Sequence, residues 1–336
     1  MIDLLKINSC LVNEPNYRQK EVDKLIFQDL IENWEDAKFL PAKLRQILDI
    51  QAPIEIKGEL ITSSDKRTEK ALLLLDDGLK VETVLMRFKD RNTICVSSAV
   101  GCPLNCAFCA TGQMGFKRNL LTSEIVAQVL FFARVLKKEN QKITNVVLMG
   151  MGEPFLNYNN VLKAINILHE PEKMNLGARR FSISTCGVPE GIRKLAKEPL
   201  EINLAISLHA PNEIIRTRLM PINKKYSLKE VMSEVDNYLE ENKRKVMFEY
   251  VLIDGINDSP NCARELVQLL GHNPLYHLNL IQYNPTGTFK PSRPENVSTF
   301  KTILHQARIP FTERYRFGEE IDAACGQLAN KSSSQF

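Results

Sequence analysis

Three cysteines fall within eight residues, in the pattern Cys102-x3-Cys106-x2-Cys109. Three thiolates can hold three irons of a four-iron cubane cluster, and the fourth iron is then free to chelate the amino and carboxylate groups of an amino acid such as methionine. An open iron of that kind makes a reactive cluster. Phe108 precedes the last cysteine, and Gly101 and Ala110 flank the loop, as suits a tight turn wrapped on a bulky inorganic core. The competing readings are chance clustering and zinc. A structural zinc site takes four ligands from paired short spacings, and no second C-x2-C or nearby H-x3-H completes one. The segment Gly150-Met151-Gly152-Glu153-Pro154 is a second candidate. Alone it reads as a tight turn after a strand. One strand from the cluster, Glu153 could accept hydrogen bonds from a ligand ammonium while Gly152 lets the backbone approach.

Such residues need a scaffold that converges them. From Thr93 onward, short apolar runs alternate with amphipathic stretches. The runs Thr93–Ser97, Asn145–Met149, Phe181–Thr185, Asn203–Ser207, Val246–Leu252 and Leu278–Tyr283 predict six strands. Helices are expected over Thr122–Lys138, Tyr158–His169, Pro189–Glu198, Ser227–Glu241, Cys262–Leu270 and Val297–Ala307. Repeated strand-then-helix order argues for a parallel α/β sheet with right-handed crossovers, either an open doubly wound sheet or a partial barrel of six βα units. In both, sites belong at the C-terminal ends of the strands. The cysteine loop, Gly152-Glu153, Ser184, Ser207-Leu208-His209 and Asn284 all fall there. The alternatives are helix capping for the serines and Asn284 and a satisfied interior ring for His209.

Residues 1 to about 90 read as a small accessory unit, with helical patterns at Arg18–Asn33 and Pro41–Ile50 and a hairpin turning on Asp77-Gly78. Residues 91–330 form the main domain, and 331–336 read as a frayed tail. The chain has 336 residues, 44% apolar, enough for both units, and its net charge of +4 permits nucleic-acid binding without requiring it. With no export signal or membrane-length apolar window, a soluble cytoplasmic protein is expected, so eight cysteines point to metal, cluster or redox chemistry.

The cysteine motif resembles that of radical S-adenosylmethionine (SAM) enzymes, and the rest of the chain resembles one family of them, the RlmN/Cfr group of RNA adenine methyltransferases. The matching stretches are Val81–Val84, Cys95–Cys102, Cys106–Gly112, Gly115–Leu120, Met149–Pro154, Ser207–Ala210, Met220–Asn223 and Ile321–Leu328. They span almost the full length. The resemblance implies a partial six-unit barrel with a small N-terminal RNA-binding domain, one 4Fe-4S cluster on Cys102, Cys106 and Cys109, and SAM contacts from Gly152, Glu153, Ser184, Ser207, Leu208, His209 and Asn284. It also implies a reaction using two SAM molecules. Cys325 first accepts a methyl group as S-methylcysteine; a second SAM on the open iron is cleaved to a 5′-deoxyadenosyl radical, which takes a hydrogen from that methyl; the methylene radical then adds to an adenine carbon. Glu82 is implied as the base that removes the adenine proton, and Cys95 as the thiol that releases the product by forming a disulfide with Cys325.

An aromatic amidine carbon is a poor nucleophile, which is why a carbon radical is needed. A general base must reach its proton directly or through one water, so Glu82 should face the cluster cavity; otherwise it is a solvated hairpin charge. Apart from the resemblance, Cys325 reads either as a buried small hydrophobe or, beside Gly326, as part of a mobile loop. Cys10, Cys186 and Cys262 read as structural. For RNA, the basic candidates are Lys117, Arg118, Arg179, Arg180, Arg216, Arg218, Lys224, Lys225, Lys243, Arg244, Lys245, Arg314 and Arg316, with Lys117, Arg118 and Arg180 favoured. The family's RlmN members methylate carbon 2 of an adenosine in 23S ribosomal RNA and of a tRNA adenosine, and its Cfr members carbon 8 of the ribosomal one. Gly152-Glu153-Pro154 resembles RlmN, so carbon 2 is expected, with a flavodoxin-like electron donor and a monomeric enzyme; Asn13–Arg18 is similar to Cfr. The rivals are a radical SAM enzyme that does not methylate, and an RNA-binding protein with a structural iron–sulfur or zinc site.

Overall fold

The computed structural model describes residues 1–314 and 317–329; Arg316 and the tail 331–336 lie outside the described residues. Three helices, α1 (Leu4–Cys10), α2 (Asn16–Phe27) and α3 (Ala42–Gln51), open the chain. An antiparallel meander follows, β1 (Gly58–Thr62), β2 (Thr68–Leu74) and β3 (Lys80–Arg87). Gly78 turns the β2–β3 hairpin at φ 82°, and the Asp77 carboxylate accepts from the Leu79 amide at 3.1 Å.

Next come β4 (Asn92–Cys95), β5 (Ala99–Gly101), α4 (Ala110–Gln113), β6 (Phe116–Asn119) and α5 (Thr122–Lys138). The strand–helix series then runs β7 (Asn145–Leu148), α6 (Tyr158–His169), β8 (Phe181–Thr185), α7 (Pro189–Ala196), β9 (Asn203–Ser207), α8 (Glu213–Leu219), α9 (Leu228–Asn242), β10 (Val246–Leu252), α10 (Pro260–Leu270), β11 (Tyr276–Gln282), α11 (Pro294–Gln306) and β12 (Phe311–Glu313). The six predicted strands are all present and parallel. A seventh, β12, is too short for sequence periodicity to reveal, and it pairs parallel with β11.

The sheet order is β1-β2-β3-β4-β7-β8-β9-β10-β11-β12. From β4 onward each strand lies beside its successor, so the winding never reverses. That decides between the two α/β alternatives: a doubly wound sheet needs a reversal, and this is a partial barrel. The boundary expected near residue 90 does not separate two sheets, because Val84 of β3 pairs with Cys95 of β4 and the meander continues the barrel sheet. One apolar core runs from Ile2 to Leu328. Helix α5 shows why the crossovers pack: Glu124 caps its start by accepting from the Leu121 amide at 2.8 Å, and Ile125, Val129, Phe132 and Leu136 bury one face. Among the described residues no helix is long and apolar enough to cross a membrane.

Candidate active site

A cavity of about 190 Å³ inside the open barrel is lined by Cys102, Cys106, Cys109, Cys95, Cys325, Gly152, Glu153, Ser184, Ser207 and His209, ten of the thirteen residues singled out from the sequence. Leu208, Asn284 and Glu82 stand behind its wall.

The cysteine loop leaves the β5–β6 ribbon, where a Cβ at Gly101 would lie 1.8 Å from the Gly115 carbonyl oxygen; only glycine permits that approach. The Cys102 amide donates to Gly115 at 3.1 Å, and the Ala107 amide donates to Leu219 at 2.9 Å. Cys186, read from sequence as structural or incidental, lines the same cavity and packs against the apolar cluster that includes Cys106. The donor set on one loop is three sulfurs with no carboxylate or imidazole among them, which fits three irons of a cluster and leaves one for a chelating ligand. Replacing Cys106 with alanine should lower iron after anaerobic reconstitution from about four atoms per chain to well below one, read by iron assay and visible absorbance.

Glu153 is buried, and burial pushes its carboxyl up. One oxygen accepts from the Phe155 amide at 3.0 Å and the other from the Cys186 amide at 2.7 Å, and each keeps lone pairs for an ammonium. A Cβ at Gly150 would meet the Ser97 hydroxyl at 2.6 Å, and one at Gly152 the Ala99 Cβ at 2.7 Å, so both clear room for the chain after β4, and both also line the cavity. The Ser184 and Ser207 hydroxyls lie 3.3 Å apart across β8 and β9. His209, at φ 54°, accepts from the Val251 amide through Nδ1 at 3.1 Å, so its proton sits on Nε2. Burial, then Arg216, push its pKa down to about 3, keeping the ring neutral. Leu208 packs into the core and donates its amide to the Glu249 carbonyl at 3.0 Å. Asn284 donates to the Cys325 carbonyl at 3.0 Å and so positions that loop.

Cys325 is exposed within this cavity. Its loop is fastened to the cluster loop by the Ala110 amide donating to Gly326 and the Thr111 hydroxyl donating to Leu328, each at 2.7 Å. Desolvation raises the Cys325 thiol to about 11 despite Arg314, and burial followed by the neighbouring Cys325 raises Cys95 to about 12. All eight cysteines are free, so the implied Cys95–Cys325 disulfide is absent from this state.

Glu82 is fully buried, which rules out a solvated hairpin charge. It shares the inner face of β3 with Val84 and Met86, which do line the cavity, but its carboxylate is engaged by the Lys70 ammonium at 3.0 Å and the Ala329 amide at 2.7 Å. Lys70 pairs with Val84, so the ion pair is diagonal across the β2–β3 ladder. Removing one partner of a buried pair leaves the other charge uncompensated. Lys70→Met should therefore cost roughly 3–5 kcal/mol in urea unfolding, and Lys70→Met with Glu82→Gln should recover most of it.

Several basic candidates are corrected. Arg118 makes two bonds to Glu124, at 2.7 and 2.8 Å, and one to Asp77 at 2.6 Å, so its charge is already matched. Arg216 is buried and Arg244 is half-buried with a bond to the Ile202 carbonyl, whereas Arg179 stays exposed while pairing with Glu201. Arg314 lies in the cavity wall and pairs with Glu249 at 2.7 Å, while Asn279 donates to the same carboxylate oxygen at 3.0 Å. Sequence reasoning missed Glu249; its signal was a carboxylate amid the otherwise apolar run Val246–Leu252. Lys117, Arg180, Arg218, Lys224, Lys225, Lys243 and Lys245 remain exposed.

A three-cysteine loop at the mouth of a partial barrel, with polar groups at successive strand ends, defines the class of radical SAM enzymes, which use a 4Fe-4S cluster and SAM. The model of the radical SAM superfamily matches residues 96–279. The chain is 43% identical, over 95% of its own length and 89% of the relative's, to a probable dual-specificity RNA methyltransferase RlmN of Chloroflexus aurantiacus. It is 42% identical, over 93% and 92%, to the ribosomal RNA large subunit methyltransferase N of Nitrosopumilus maritimus. The crystal structure of a radical SAM methyltransferase from Sphaerobacter thermophilus superposes with a TM-score of 0.94 at 42% identity, covering 97% of both chains. The protein belongs to the RlmN family of radical SAM RNA methyltransferases.

Proposed function

We propose that this RNA methyltransferase places a methyl group on carbon 2 of an adenosine in 23S ribosomal RNA and in tRNA, through S-methylation of Cys325. The observation that carries the reading is that, besides Cys186, two thiols outside the cluster loop, Cys95 and Cys325, line the cavity that holds the three cluster cysteines. The dual-specificity and large-subunit names of the relatives support the RNA classes.

The bound cluster and SAM supply the methyl group and one-electron chemistry. The chain supplies position and proton handling. Glu153, Ser184, Ser207 and the neutral Nε2–H of His209 offer acceptors and donors to a ligand over the strand ends. Asn284 and the Ala110–Gly326 bond hold Cys325 toward the cluster loop. The Lys70 ammonium holds the Glu82 carboxylate at 3.0 Å, and that carboxylate is the group that takes the adenine proton. To receive it, Glu82 must exchange its bond to the Ala329 amide for contact with the substrate, so release of this loop is part of the cycle. Cys95, opposite Val84 on the β3–β4 ladder, attacks the Cys325 sulfur; the bond from that sulfur to the methylene breaks, its electron pair and a proton complete the methyl group, and the resulting Cys95–Cys325 disulfide is reopened by the reductant before the next cycle. A flavodoxin-type protein delivers the electron, and the enzyme acts as a monomer in the cytoplasm, where its RNA substrates are.

Mass spectrometry of ribosomal and transfer RNA after anaerobic incubation with the reconstituted protein, SAM and a reductant tests the reading. It should show 2-methyladenosine. An 8-methyl product would transfer the assignment to carbon 8, and unmodified RNA with continuing SAM cleavage would overturn the substrate.

A further inference from the structure

Arg216 is completely buried on α8 and forms no ion pair among the described residues. Its guanidinium donates to the Asn223 side-chain oxygen and the Cys186 carbonyl, each at 2.7 Å, and to the Ser207 carbonyl at 3.4 Å; Nε has no acceptor. A buried cation with no directly paired counter-charge costs several kcal/mol, so its retention calls for a further anion nearby.

The surroundings identify that anion. Helix α8 lies directly behind the cysteine loop: its last residue, Leu219, accepts the Ala107 amide, and Leu219 and Met220 share an apolar cluster with Leu104 and Cys106, against which Cys186 packs. Arg216 therefore holds the carbonyl of Cys186, which lines the cavity beside Cys106. When three cysteines bind the cluster as thiolates, this wall becomes anionic, and one-electron reduction adds further negative charge. A fixed buried cation favours the more negative state, and more strongly where water is excluded.

We infer that Arg216 is the buried counter-charge of the iron–sulfur cluster and sets its reduction potential, while Glu213 tempers it from the far side of Asn223. Glu213 accepts from the Asn223 amide group at 2.6 Å, placing a carboxylate one side chain from the guanidinium. The inference rests on the cluster of the superfamily and is independent of which RNA carbon is methylated.

The test is an EPR-monitored redox titration of anaerobically reconstituted protein without SAM, with iron content measured on the same samples. In Arg216→Gln, the equilibrium constant for cluster reduction should fall about tenfold, equivalent to 59 mV for one electron, at unchanged iron content. Arg216→Lys, which keeps the charge, should recover most of the wild-type potential. Glu213→Gln should move it upward by a smaller amount. An iron-replete Arg216→Gln protein that titrates at the wild-type potential overturns the inference. If that variant does not fold, Glu213→Gln decides, and an unmoved or lowered potential there overturns it.

Discussion

Cys325→Ala should abolish RNA methylation while the enzyme keeps its cluster. The Cys325 side chain faces the cavity and not the core, so truncation should change stability by no more than about 0.5 kcal/mol. The activity loss should exceed roughly a thousandfold, as when a covalent nucleophile is removed. Two measurements separate this from general damage: methyladenosine should vanish from the RNA digest, and reductive cleavage of SAM should continue, because Cys102, Cys106 and Cys109 are untouched. Wild-type methylation in this variant would exclude Cys325 as the methyl carrier.

Cys95→Ala should fail later and more visibly. Without the Cys95 thiol to take the sulfur of Cys325, the nucleotide stays attached, and each chain stops after one reaction. A covalent protein–RNA species should approach one per chain on a denaturing gel and collapse to a modified Cys325 peptide on nuclease digestion. Cys95 is only partly buried, so the cavity left by its sulfur should cost about 1 kcal/mol. Free methylated RNA over many turnovers would remove Cys95 from the release step.

The parallel strands were legible because each is an apolar run ending in a polar residue where a site is needed, as in Phe181–Thr185 and Asn203–Ser207. The ribbon of β5 and β6 and the edge strand β12 were not, since three or four residues carry no periodicity. Buried charges were the other blind spot. Lys70 and Glu249 were passed over and Arg216 stood among the RNA candidates, because what each meets lies elsewhere in the chain: Lys70 meets Glu82 across a hairpin, and Glu249 meets the half-buried Arg314 just past β12. Net charge likewise said nothing of Arg118, whose charge is spent on Asp77 and Glu124. The cysteine loop was legible by itself, because its ligands are neighbours in sequence. The packing of Gly150 and Gly152 against the chain after β4 was not, since what a missing Cβ makes room for there depends on where β4 leads.

The bonds that hold the Cys325 loop connect distant parts of the chain: Thr111 with Leu328, 217 residues apart, and Glu82 with Ala329, 247 apart. Closing loops of that length adds little to the equilibrium cost, since each doubling is worth about 0.6 kcal/mol, but contacts so far apart in sequence form slowly. A refolding chain therefore regains its sheet before it regains its chemistry. The single tryptophan, Trp34, is buried beside α3 with its indole N–H on the Ala52 carbonyl, and so its fluorescence reports the N-terminal helices and is blind to this final step. Two clocks would then run in one refolding experiment, an early one in fluorescence and a late one in the competence to act on RNA.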